Sequence, residues 1–117
     1  MYTRVAIAKN TRIIEYAGEA ISHRESQRRE RIQLPAGRIW CFTVNSRVVR
    51  DASVGGNLAR FINHACRPSC YSRIVDDTIW ICAARAIAPG EELTYAYHTD
   101  GAAGIDCRCT PDCAAVL

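Results

Sequence analysis

Lysine is almost absent from this chain: Lys9 is the only one among fifteen basic side chains, and arginine supplies the rest. Acidic residues nearly balance them, leaving a formal charge of +3. An excess that small and scattered does not build the basic stripe of a nucleic-acid surface. No apolar run approaches the ~20 residues that a membrane helix needs. Arg4, Lys9 and Arg12 interrupt the start, which excludes the apolar stretch of a secretory signal. There is no internal repeat and no low-complexity tract. These absences lead us to expect a soluble, intracellular protein without nucleic acid or membrane as a direct partner, its oligomeric state open. Arginine almost without lysine, together with many alanines, points to a GC-rich coding sequence.

With 49% of residues hydrophobic and 23% charged, the 117 residues suffice for one packed domain. Such a domain buries roughly two thirds of its unfolded surface. Seven cysteines are many for this length, and the number is odd. Cys107, Cys109 and Cys113 crowd into CRCTPDC. An odd count without a secretory signal argues against a disulfide frame, and clustered thiolates in a reducing compartment more often hold zinc. Cys41 and Cys82 lie in apolar stretches and read as buried bystanders.

Ile13, Ile14 and Tyr16 form a short strand-like run that stops at Gly18. Ser22 and Glu25 make a capping box that opens a polar helix to Gln33. Its Arg24, Arg28, Arg29 and Arg31 read as a solvated surface, and 34–37 (LPAG) ends it. Strands are expected at 39–44, 71–75, 78–83 and 92–97, with Val75-Asp76-Asp77-Thr78 as a hairpin turn. Residues 55–70 follow neither helical nor strand periodicity, yet carry Asn, His, Arg and Cys. That chemistry on an irregular segment favours a functional loop. Residues 98–106 contain Gly101 and Gly104 and read as a flexible linker. The fold class is mostly β, with several small sheets and one short helix.

The segment GNLARFINHAC at 56–66 resembles the central GNxxRFxNHxC motif of SET-domain methyltransferases. EELTYAY at 91–97 resembles the family's EELTYDY, Glu15-Tyr16-Ala17-Gly18-Glu19 matches its EYxGE strand, and CRCTPDC is similar to its post-SET zinc segment. Four motifs in the family's order cover nearly the whole chain. The likeness is to trithorax-type histone lysine methyltransferases and their bacterial relatives. It implies a SET domain over 1–97, a linker over 98–106 and a post-SET zinc segment over 107–117. It also implies small curved sheets with the C-terminal part threaded as a pseudoknot, which brings Asn63 and His64 beside Tyr97.

The activity so implied is methyl transfer from S-adenosylmethionine to the side-chain amine of a protein lysine, with a histone-like substrate. The setting is cytoplasmic in a bacterium and nuclear in a eukaryote. Tyr97 occupies the catalytic tyrosine position, and Tyr95 the one whose size and hydroxyl limit how many methyl groups are added. Asn63 and the His64 backbone hold the cofactor, with Arg60, Trp40 and Tyr16 as further cofactor residues. Such transfer is an in-line displacement and depends on alignment and the exclusion of water. The substrate ammonium must first lose a proton from a pKa of ~10.4, and a nearby sulfonium and an apolar channel both favour that loss. No carboxylate base is required.

The residues alone also permit duller roles. Tyr95 and Tyr97 would suit an ordinary half-buried strand, Asn63 and His64 a turn, and Trp40 the core as readily as a channel. For zinc, the resemblance draws the fourth ligand beside Cys107, Cys109 and Cys113 from Cys66, with Cys70 as the second choice. The chain departs from the family's pattern at Ala65 for Ser, Ser69 for Asn and Ala96 for Asp. Its last two cysteines are separated by three residues instead of four. Met1-Tyr2-Thr3 aligns just after the position of a cofactor-binding GxG element: either Met1 is an internal position taken as the start, which is the favoured reading, or part of the cofactor site is lost. A degenerate SET module that binds a peptide or partner without catalysis is therefore the alternative function.

Overall fold

The computed structural model describes residues 1–97 and 104–117. The described residues form three small sheets and one α-helix, so the mostly β SET-type fold is the one observed. In the first sheet, β1 (Arg12–Glu15) and β6 (Cys70–Val75) flank β7 (Thr78–Ala83) on either side, both antiparallel. The expected hairpin closes at Asp76 and Asp77, whose φ values of 50° and 61° are both left-handed. A two-residue turn of that hand matches the twist of the strands it joins, and Asp tolerates the conformation better than most residues.

The second sheet has β4 (Val49–Asp51) at its centre, between β2 (Glu19–Ile21) and β3 (Cys41–Thr43). Neither β2 nor β4 has a readable strand signature, because each is three residues long and carries an acid. The helix α1 (His23–Gln33) begins where the capping box places it, with the Glu25 N–H donating to Ser22 Oγ at 3.1 Å. It buries only Ser26 and Gln33 and is docked by polar contacts. Arg29 Nη1 donates to Asp51 Oδ2 at 2.9 Å, and Gln33 Nε2 reaches both Asp51 oxygens at 3.2 Å. Burial pushes the Asp51 carboxyl up, but hydrogen bonds from Ser53, Arg29 and Gln33 outweigh it and leave it below its usual range. Arg29 therefore departs from the solvated-surface reading: it bridges Glu19, Glu25 and Asp51. Arg24, Arg28 and Arg31 are exposed, as expected.

The third sheet positions the site. β5 (Asn63–His64) follows a 3-10 turn, Leu58–Phe61, and pairs in parallel with β8 (Thr94–Tyr95). The strand expected over 92–97 shortens to two residues for a physical reason. The Tyr97 N–H leaves the ladder and donates to the His64 ring at 2.9 Å. Residues 92–95 also run beside Ser69, whose Oγ accepts from Thr94 N at 3.1 Å and donates to Glu92 O at 2.9 Å. Ser69 thus ties the two segments together with its hydroxyl.

Tyr16, Ile62, Ile79, Ile81, Ile87, Leu93 and Tyr95 lie in one buried core cluster, and no residue of 104–117 belongs to it. The linker expected at 98–106 falls largely outside the described residues. Its end, Ile105 and Asp106, pairs back on Leu117 and Val116.

Gly56, the first residue of the central motif, is required by close approach: a Cβ there would lie 2.1 Å from Ala52 O. Backbone must move to admit it. Gly56→Ala should therefore lower stability by about 1–3 kcal/mol. Thermal unfolding should register a fall of roughly 4 °C or more; an unchanged midpoint would contradict the packing described.

Candidate active site and metal cluster

Residues far apart in sequence converge where β5 meets β8. A cleft of about 650 Å³ is lined by Trp40, Arg60, Asn63, His64, Glu92 and Tyr97, with Ile105, Cys107 and Leu117 contributed by the tail. That volume falls within the roughly 300–1,000 Å³ of small-molecule sites. A second, narrow cavity of about 70 Å³ is walled by Tyr16, Cys41, Phe42, Tyr95 and Tyr97. Ile39 and Tyr97 line both spaces. Tyr97 therefore stands on the wall between a roomy cleft of mixed polarity and a tight aromatic slot.

The slot is a chain of rings: Tyr16 to Phe42 at 5.2 Å, Phe42 to Tyr95 at 6.1 Å, Tyr95 to Tyr97 at 4.8 Å. Burial drives the phenols of Tyr16 and Tyr95 well above their ordinary range. Tyr97 is pushed up to about 12 by burial, and the nearby Glu92 carboxylate adds to the effect. All three stay neutral at ordinary pH. The Tyr97 hydroxyl donates to Ile62 O at 2.5 Å, which sets the direction of the ring. Cys41, also pushed up to about 12 by burial, is a neutral thiol in the slot wall.

On the cleft side, Asn63 Nδ2 donates to Glu92 Oε2 at 2.8 Å, which leaves its carbonyl oxygen as the free acceptor. Two guanidinium groups lie against the Trp40 ring, Arg38 at 4.9 Å and Arg60 at 5.2 Å. It faces the cleft and not the slot. Tyr16 does the reverse. Expected among the cofactor residues, it lines only the slot, and its hydroxyl donates to Trp40 O at 2.8 Å.

Cys66, Cys107, Cys109 and Cys113 bring their sulfurs within 4.8 Å of one another. Cys66 Sγ lies 3.9 Å from that of Cys107 and 3.7 Å from that of Cys113. Four sulfurs at ~2.3 Å around a tetrahedral zinc stand about 3.8 Å apart, whereas a disulfide needs about 2.05 Å. The donor set therefore fits zinc. Crowding also spreads the ionisation: the Cys66 backbone N–H helps draw Cys109 down to about 6, while bonds to Cys113, Cys109 and Cys107 push Cys66 up to about 12. Four thiolates in this space need a cation among them. Cys70, the alternative fourth ligand, lies buried in the core away from the cluster. The shortened CRCTPDC loop still closes, with the Cys113 N–H bonded to Thr110 O at 3.2 Å.

Residues 1–98 match the SET domain family. This chain belongs to the SET-domain family. It is 40% identical over 105 residues to human "Histone-lysine N-methyltransferase 2D", an alignment covering 86% of this chain and 2% of that protein. It is 45% identical over 103 residues to "Histone-lysine N-methyltransferase trithorax" of Drosophila melanogaster, covering 83% of this chain and 3% of that protein. With "Histone-lysine N-methyltransferase, H3 lysine-4 specific" of Schizosaccharomyces pombe it shares 41% over 119 residues, 95% of this chain and 13% of the other. The chain thus spans a small part of the length of these relatives, and at family level they support methyltransferase activity.

Within this SET domain, two departures from the family pattern look different in three dimensions. Ala96 is exposed and lines neither space, so the lost Asp changes the surface. Ser69 makes three hydrogen bonds to the strand it faces or its neighbour. Sequence reasoning missed Glu92, Ile39, Phe42 and Arg38. Glu92 lay inside a recognised motif and could have been found there. The other three carry no motif signal and reach the site only by folding. No helix of the described residues is long and apolar enough to cross a membrane.

Proposed function

We propose that this SET domain transfers methyl groups from S-adenosylmethionine to the side-chain amine of a lysine in a histone-like protein, and that its tail is clipped by zinc. The observation carrying this reading is that a cofactor-sized cleft and a narrow aromatic slot share Tyr97 as a wall. S-adenosylmethionine, when bound, supplies a methyl group on a sulfonium.

In this reading the cofactor's ammonium is accepted by Asn63 Oδ1, whose amide is oriented by Glu92. The His64 backbone, Arg60 and Trp40 complete the cleft wall. A substrate lysine enters along Tyr16, Phe42 and Tyr95, where desolvation favours the neutral amine. Aromatic faces also tolerate the entering cation. The Tyr97 hydroxyl orients the amine without ionising. Tyr95 limits the room for added methyl groups. Cys66, Cys107, Cys109 and Cys113 hold zinc and keep the segment 107–117 over the cleft, joined by 98–106 to a body of 1–97.

Calorimetric titration with S-adenosylmethionine tests this directly. Asn63→Ala should weaken binding about 10- to 100-fold, as expected for losing a hydrogen bond to a charged group. Unaltered affinity in that variant would remove Asn63 from the site. No binding by the parent chain, with peptide binding retained, would favour the non-catalytic module.

A further inference from the structure

His64 enters the proposed function only through its backbone, yet its ring has two partners. The Tyr97 N–H can only donate, so Nδ1, 2.9 Å away, is unprotonated and the ring proton sits on Nε2. Nε2 in turn faces Cys66 Sγ at 3.6 Å. A cation held by the cluster would keep Cys66 Sγ in place before this donor. The ring also packs edge-on against the Tyr97 ring at 5.3 Å. Pairing of β5 with β8 fixes the His64 backbone, and the two polar contacts and the Tyr97 ring hold the imidazole itself.

We propose that His64 is a positioning residue that couples the metal cluster to Tyr97, through Cys66 Sγ, the imidazole and the Tyr97 N–H. This rests on the zinc and methyl-transfer reading above and adds to it a physical link between the two. With Cys66 Sγ held in the cluster, the His64 ring that accepts from the Tyr97 N–H would be kept in one orientation. Polar partners behind a metal ligand typically account for 10- to 100-fold in metal affinity.

The test uses Zn²⁺ and three chains: the parent, His64→Asn and His64→Gln. Asparagine keeps an acceptor near the place of Nδ1 but falls short of Cys66. Glutamine reaches Cys66 with a donor but leaves the Tyr97 N–H without its acceptor. His64→Asn should lose Zn²⁺ to a competing chelator roughly 10- to 100-fold more readily while keeping the Tyr97 amide protected from hydrogen exchange. His64→Gln should hold Zn²⁺ and lose that protection. In the parent, chelating Zn²⁺ should speed Tyr97 amide exchange about tenfold, the worth of one hydrogen bond. That comparison needs no substitution. A Tyr97 amide indifferent to Zn²⁺ in the parent, or unchanged Zn²⁺ affinity in His64→Asn, overturns the coupling alone. A parent chain that takes up no Zn²⁺ overturns the zinc reading itself, so the two failures are distinguishable.

Discussion

Tyr97→Phe should slow methyl transfer to a lysine peptide roughly a hundredfold while leaving affinity for S-adenosylmethionine within about twofold. The ring stays and only the hydroxyl that donates to Ile62 O goes. The cleft keeps its shape, whereas the reacting amine loses its orienting partner at the shared wall. A misplacement near 1 Å is enough to cost about two orders of magnitude. The pH dependence separates orientation from base catalysis. The Tyr97 phenol sits near 12, so it is neutral throughout the working range. The rate should rise with pH because the substrate amine must be free, and Tyr97→Phe should keep that slope while lowering the whole curve. Single-turnover rates across pH check both points. An unchanged rate would take Tyr97 out of the reaction, and a lost slope would make it a base.

Removing zinc, by chelation or by Cys113→Ser, should abolish methyl transfer without unfolding the body of the domain. Among the described residues, every hydrogen bond between 104–117 and the rest of the chain involves Cys66. The bonds of Ile105, Cys107 and Leu117 to other backbone groups stay inside the tail. Zinc in a closed thiolate site contributes on the order of 10–16 kcal/mol in small zinc domains. Without it the tail separates from the cleft, and Ile105, Cys107 and Leu117 no longer wall the space. Cys107 and Leu117 are buried, but the core cluster shared by the sheets contains no tail residue, so the sheets should persist. Expected measurements are a retained far-UV spectrum, rapid hydrogen exchange over 104–117, and binding of S-adenosylmethionine weakened together with the rate. Global unfolding on chelation would show that the tail belongs to the core after all. Full activity without zinc would detach the cluster from function.

The chain's own sequence determined its family and the residues to watch. Each of the motifs at 56–66 and 91–97 is a contiguous run, so the residues of β5 and of β8 can be read directly, although the pairing of the two strands cannot. The helix was legible for a similar reason, since a cap and its partner are local and Ser22 and Glu25 lie three residues apart. Only the tertiary structure decided what depends on long-range contact. The short strands β2 and β4 lie side by side, with Glu19 opposite Asp51, and both acids meet Arg29 of α1; no local propensity encodes that meeting. Tyr16 faces the slot because its hydroxyl is held by Trp40 O, 24 residues away. The motif ranks Cys66 ahead of Cys70, but residue type alone does not separate them. They separate because β6 begins at Cys70 and turns that thiol into the core, while Cys66 is left exposed where the tail arrives. Ring contacts, sulfur geometry and the wall shared at Tyr97 come from segments that meet only after folding, and periodicity carries no record of such encounters.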